Sequence, residues 1–146
     1  MRKVLFICTH NSARSQMAEG LMNALYGNRY NAYSAGISPA KVNQYAIEVM
    51  KEISIDISKQ QSKDISEFRG KRFDYVVTVC SNAKTNCPFF PGAKKYLHKS
   101  FDDPSGFTEE EVLGEFRRIR DQIKAWIEET FVQDKKKKDL IKWKKK

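Results

Sequence analysis

A chain of 146 residues with 40% hydrophobic and 31% charged side chains has the balance of one globular domain, and no run approaches the ~20 apolar residues that spanning a bilayer requires. The formal charge of +9 is unevenly placed: residues 134–146 hold eight lysines against two aspartates, a sum of +6, which leaves +3 for residues 1–133. A mildly basic body argues against a dedicated nucleic-acid binder and predicts a domain over residues 1–133 with a solvated or partly helical lysine-rich tail over residues 134–146.

Residues 3–8, Lys-Val-Leu-Phe-Ile-Cys, read as a buried β-strand. The polar run Thr9, His10, Asn11, Ser12 cuts this apolar stretch too early for a signal peptide. A cytoplasmic chain is therefore expected. From about Ser15 the spacing of Met17, Leu21, Met22 and Leu25 predicts a helix, stopped by Gly27 and Asn28. Residues 30–35 alternate like a strand, residues 43–52 form a helix with Ala46, Ile47 and Met50 inward, and residues 64–68 suggest a short helix. Residues 73–80 give a second buried strand, and Leu97 and His98 end a fourth short one. After the loop at residues 101–106, Thr108 and Glu111 form a capping-box pattern. Behind it Val112, Phe116, Ile119, Ile123 and Ile127 recur at helical spacing to about Phe131.

Strands alternating with helices imply parallel pairing with right-handed crossovers. The expected fold is a three-layer α/β sandwich, a four-stranded parallel sheet with helices on both faces. Ligands in such sheets sit beyond the carboxyl ends of the strands, where both Cys8 and Cys80 fall.

The segment Cys8-Thr-His-Asn-Ser-Ala-Arg14-Ser15 leaves a strand and opens a helix. Such a loop turns several backbone N–H groups toward one point, and the helix N-terminus adds about half a positive charge. Thr9, His10, Asn11, Ser12, Ala13 and Arg14 are the expected oxyanion-binding residues, with the Arg14 guanidinium matched to two oxygens of a tetrahedral anion. The same field favours a nucleophilic thiolate at Cys8, and Ser15 is placed to donate a hydrogen bond to its sulfur. Asn11 tolerates the left-handed backbone that a tight loop demands.

These residues carry a resemblance. Cys8-Thr-His-Asn-Ser-Ala-Arg-Ser-Gln-Met-Ala-Glu-Gly20 with Tyr33-Ser-Ala-Gly36 is similar to the arsenate reductase family that shares the low-molecular-weight protein tyrosine phosphatase fold. The likeness continues through Asp56-Ile-Ser58, Val76-Val-Thr-Val-Cys80, Asn86-Cys-Pro88 and Phe101-Asp-Asp-Pro104, so that it covers about residues 3–131. Two departures stand in the loop: Ala13 where many members carry a cysteine, and His10 where glycine is frequent.

Read from the residues alone, Cys80 is either core packing or a working thiol, and Cys87 either incidental or its partner. The resemblance implies a three-thiol relay. Cys8 attacks arsenate, Cys80 attacks Cys8 as arsenite leaves, and Cys87 takes the redox-active disulfide outward to thioredoxin. Phosphate and sulfate are the expected mimics, and no cofactor is implied. Asp103, held extended by the following Pro104, is the expected general acid, with a carboxyl raised by burial. The bland alternative makes Asp102 and Asp103 a turn before the last helix; the resemblance selects Asp103 for its place beside Pro104. It also implies an alkali-cation position at Asn11, Glu19 and Ser34, put in question by Lys63 where an acidic ligand belongs.

Two rivals complete the reading. A phosphatase acting on aryl phosphates would use Cys8, Arg14 and Asp103 through a phosphocysteine, but it needs neither Cys80 nor Cys87 and typically carries tyrosine where Ser105 follows Pro104. A metal protein built on Cys8, His10, Cys80, Cys87 and His98 lacks the close ligand pairs of structural zinc sites. A monomer is expected.

Overall fold

A computed structural model describes residues 1–79 and 90–133. Cys80, Cys87 and the lysine-rich tail, on which the relay and tail expectations fall, lie outside the described residues.

The sheet is built around its most apolar segment. Strand β1 (Arg2–Ile7) lies between β2 (Tyr30–Ala35) and β3 (Phe73–Thr78), with β4 (Ala93–His98) outside β3, and all neighbours run parallel. Val4, Leu5, Phe6 and Ile7 are each fully buried, which a strand covered on both faces permits because successive side chains alternate between them.

Val4 and Phe6 face the larger core cluster. They share that cluster with Met17 and Leu21 of α1 (Arg14–Tyr26), Val49 and Met50 of α2 (Gln44–Lys51), and Phe116, Ile119 and Ile123 of α3 (Glu109–Ile127). Leu5 and Ile7 face a smaller cluster with Phe68, Phe73 and Phe90, below the 3-10 turn Ile65–Phe68, where the rings pack edge to face. Fully burying each such side chain contributes about 1.5–3 kcal/mol.

Some expectations are corrected in detail. Leu25 is 42% exposed, because the last turn of α1 runs past the elements that cover Met17 to Met22. Thr108 has extended backbone angles suited to a helix N-cap, but its side chain makes no capping bond; Glu109, Glu110 and Glu111 instead set three carboxylates against the helix dipole. A complete capping box forms elsewhere, between Asp64 and Glu67. Helix α3 runs on into a π turn, Glu128–Gln133, which buries Phe131 against Tyr30, Tyr75 and Trp126.

From β1 the chain crosses to β2 on one side, while β3 and β4 extend the sheet on the other. The carboxyl end of β1 is thus the topological switch point, where open α/β sheets take their ligands.

Candidate active site beyond strand β1

Cys8 follows β1 directly, is 3% exposed, and is a free thiol. Its N–H still belongs to the sheet, donating to the Ala35 carbonyl at 3.2 Å. The next four carbonyls are all held from outside. Thr9 O accepts from Ser38 N at 3.0 Å, His10 O from Ala40 N at 3.1 Å, and Ser12 O from Asn43 N at 2.9 Å. Asn11 O accepts from Gln16 Nε2 at 3.0 Å, and Ser62 Oγ adds a second bond to His10 O, also at 3.0 Å.

In a trans peptide the carbonyl and the following N–H point in opposite directions. Engaging these four carbonyls therefore turns the N–H groups of His10, Asn11, Ser12 and Ala13 to the other side of the loop. Asn11 has φ +48°, the left-handed conformation expected of it, and such a break in handedness curls successive N–H groups into an anion-binding concavity. Helix α1 begins immediately after, with no side-chain cap and no acidic residue in its first turn. Its positive end is left for an anion.

Arg14 is 7% exposed and donates from Nη1 to the Phe101 carbonyl at 3.0 Å. That bond ties the oxyanion loop to the segment bearing both aspartates. Ser15 is fully buried, and its Oγ accepts from Asn11 Nδ2 at 2.8 Å, leaving the hydroxyl proton for another acceptor. His10 is exposed at the rim; because a carbonyl only accepts, its 3.1 Å contact with Ser38 O puts the proton on Nδ1.

The two aspartates diverge. Asp102 turns outward to Arg118 of α3, 3.4 Å away. Asp103 caps the 3-10 turn Pro104–Gly106, accepting from Ser105 N at 3.0 Å and Ser105 Oγ at 2.6 Å. Burial pushes the Asp103 carboxyl up, yet the Ser105 bonds and the charges of Arg14 and His10 outweigh it and hold it below the usual carboxylate value. Without an anion in the pocket the carboxyl is thus lowered rather than raised, because the Ser105 donors, which sequence does not display, add to the two positive charges. A dianion bound between Arg14 and Asp103 would reverse part of this shift by placing negative charge beside the carboxyl.

Behind the loop, Glu19 is 8% exposed and accepts from Ser34 Oγ at 2.8 Å. Burial raises its carboxyl, while Lys63, its ammonium 3.7 Å away, and the Ser34 bond pull it back. Lys63 also donates its backbone N–H to Asn11 Oδ1 at 2.8 Å. The oxygens implied for an alkali cation are thus engaged by one another and by a built-in cation, and this donor set does not fit a resident metal.

Several functional contributors were absent from the sequence reading. Gly36 entered it only as part of a motif, but a Cβ there would lie 2.7 Å from Thr9 O, 2.8 Å from Cys8 O and 2.9 Å from Asn11 N. Only glycine lets β2 end against the loop backbone. The Phe101 carbonyl and the Gln16 amide were invisible because backbone acceptors and buried amides carry no motif of their own.

The chain matches the family described as low molecular weight phosphotyrosine protein phosphatase over residues 3–140. An arsenate reductase of Staphylococcus aureus (strain N315) is 49% identical over 127 residues, covering 87% of this chain and 94% of the relative. Among solved structures, an arsenate reductase in the phosphate binding state superposes with a TM-score of 0.77 at 33% identity, covering 88% of this chain and 95% of the other. A thioredoxin-dependent arsenate reductase of Corynebacterium glutamicum gives 0.61 at 31% identity, covering 86% and 61% respectively.

Proposed function

This chain belongs to the low molecular weight phosphotyrosine protein phosphatase family, and we propose that within it the chain reduces arsenate to arsenite with electrons from thioredoxin, as an arsenic detoxification enzyme. The observation that carries this reading is the 49% identity with an arsenate reductase over 127 residues. The oxyanion loop, with Cys8 at its mouth and Arg14 at its far end, supplies the pocket that such a reaction needs.

Arsenate enters as a tetrahedral oxyanion, held by the N–H groups of residues 9–14 and by the Arg14 guanidinium. The Cys8 thiolate attacks arsenic, and an oxygen leaves as water with the proton that Asp103 provides. Ser15 steadies the sulfur. Cys80, as thiolate, then attacks the Cys8 sulfur; the arsenic–sulfur bond breaks, its electron pair stays on arsenic, and As(V) becomes As(III). Arsenite departs, leaving a Cys8–Cys80 disulfide. Cys87 attacks Cys80, Cys8 is freed as a thiolate, and the Cys80–Cys87 disulfide is reduced by the two thiols of thioredoxin. Phosphorus(V) resists that two-electron step, so phosphate in the same pocket is bound or transferred but not reduced.

The relay needs thiols that stay reduced between turnovers, which supports a cytoplasmic enzyme. Among the described residues no helix is long and apolar enough to cross a membrane. All the residues named lie on one chain, and a monomer suffices.

The test is an arsenate-dependent oxidation of NADPH in the presence of thioredoxin and thioredoxin reductase, repeated with glutathione and glutaredoxin. Turnover with the thioredoxin pair is expected. Silence with both systems, alongside hydrolysis of an aryl phosphate, would replace the reductase with a phosphatase.

A further inference from the structure

Gln16 stands in the first turns of α1, is fully buried, and has no part in the chemistry above. A buried amide must satisfy two donors and an acceptor, and here all are used. Nε2 donates to Asn11 O at 3.0 Å and to Gln61 O at 2.9 Å, while Oε1 accepts from Gln60 Nε2 at 2.7 Å. Two carbonyls facing one end of the amide fix its orientation, since neither can donate. Gln60 Nε2 also donates to the backbone carbonyl of Gln16 at 3.0 Å, so the two amides lock each other.

The segment they engage is a strap across the back of the oxyanion loop. Its near end is anchored by Ile57, fully buried against Gly20 of α1. Its far end pairs with Gly36, just past β2: Gly36 N donates to Lys63 O at 2.9 Å and Ile65 N to Gly36 O, also at 2.9 Å. Between those anchors Ser62 holds His10 O and Lys63 N holds Asn11 Oδ1. Asn11 is the left-handed residue on which the loop's curvature depends, and Gln16 is the group that holds its carbonyl.

We propose that Gln16 is a positioning residue for oxyanion capture: its amide bolts the Asn11 carbonyl to the strap and keeps the loop's N–H groups and Cys8 in anion-binding register. The proposal concerns the pocket of the reading above. It holds for any oxyanion the pocket takes, so its test uses inorganic phosphate and Cys8 reactivity rather than arsenate turnover.

Gln16→Met keeps the length and volume of the side chain and removes its hydrogen bonds. In the full chain, phosphate affinity is measured by calorimetry. Alkylation of Cys8 is followed by peptide mass spectrometry across phosphate concentrations, with phosphate as protecting ligand. Phosphate binding about tenfold weaker is expected, the scale of one lost buried hydrogen bond, with a matching rise in the phosphate concentration needed to protect Cys8 from alkylation. Gln60→Leu, at a half-buried position, leaves Gln16 in place but loosens its amide, and about a threefold loss in the same direction is expected. If Gln16→Met lowers the melting temperature while phosphate affinity and the alkylation profile stay within twofold of the wild type, Gln16 is merely structural and the proposal is overturned. If Gln16→Met does not fold, an unchanged affinity and profile in Gln60→Leu overturns it.

Discussion

In the proposed mechanism the carboxyl that releases a proton is that of Asp103, and it sits among groups that hold it ionised. Ser105 gives it two hydrogen bonds, from its amide and its hydroxyl, and Arg14 and His10 add positive charge nearby. Removing the hydroxyl in Ser105→Ala takes away one stabiliser of the carboxylate, so the Asp103 pKa rises toward its ordinary value. Because the proposed acid works only while protonated, the alkaline-side inflection of kcat/KM against pH should therefore move up, and an unmoved inflection would show that Ser105 does not set it. Asp103→Asn should lower kcat by roughly 10²-fold or more, the usual share of a general acid, while phosphate still protects Cys8 from alkylation. Lys63 makes a second residue-scale case. With its ammonium 3.7 Å from buried Glu19, activity should be the same in potassium and in tetramethylammonium buffers; clear activation by potassium would restore a metal to this position. The Glu19 carboxyl is already raised, and Lys63→Met would raise it further. A raised carboxyl favours the folded state when protonated and costs stability as pH climbs through the folded-state pKa. The melting-temperature gap between wild type and variant should accordingly be small at mildly acidic pH and wide at mildly alkaline pH. An equal gap at both would remove the ion pair from the account.

Elements show where sequence pattern reaches and where it stops. Continuous apolar runs predicted β1 and β3 because both lie inside the sheet. In β4 only Leu97 and His98 were legible, because Lys94, Lys95 and Tyr96 occupy a charged edge strand whose side chains are exposed. The period of α1 named its buried face correctly through Met22, but period alone does not say how far the covering partners extend, and Leu25 is left outside. Capping boxes need a spacing that both residues 64–67 and residues 108–111 satisfy; only the first closes its bonds. Tertiary contacts decide such cases. At the end of β2 the same limit applies to Gly36, whose need for glycine comes from Cys8, Thr9 and Asn11 rather than from its own neighbours. Gly36→Ala should push the loop backbone outward and lower phosphate affinity by an order of magnitude or more while melting remains cooperative; native affinity would mean the loop yields freely. In the core, Phe116 of α3 packs fully buried in the cluster that holds Phe6 and Met17. Phe116→Ala should cost about 3–5 kcal/mol of unfolding free energy by denaturant titration, and a loss below ~1 kcal/mol would place α3 outside the cooperative core.

At the scale of the whole molecule, the fold gathers the residues of the proposed first half-reaction in one place. The carboxyl end of β1 supplies Cys8, the start of α1 supplies Arg14 and Ser15, and the Arg14 bond to Phe101 O brings in the segment bearing Asp103. Cys8, Arg14 and Ser15 were named from the sequence because a nucleophile, a guanidinium and a hydroxyl follow a strand at fixed spacing, whereas Asp103 was named through the family resemblance. What supports them was legible only in Lys63, which stands where an acidic ligand belongs; the roles of Gln16, Gly36 and the Phe101 carbonyl come from contacts between distant segments. The oxyanion loop explains capture and attack, and it would serve a hydrolase as well as a reductase. The second half of the proposed reaction is assigned to Cys80 and Cys87, and the most direct measurement isolates their step. Cys87→Ser, fully reduced and then given stoichiometric arsenate, should release one arsenite and stall as a Cys8–Cys80 disulfide, seen by mass spectrometry as a loss of two hydrogens with the two cysteine peptides linked. Recovery of unlinked Cys8 and Cys80 peptides with no arsenite formed would contradict the three-thiol relay.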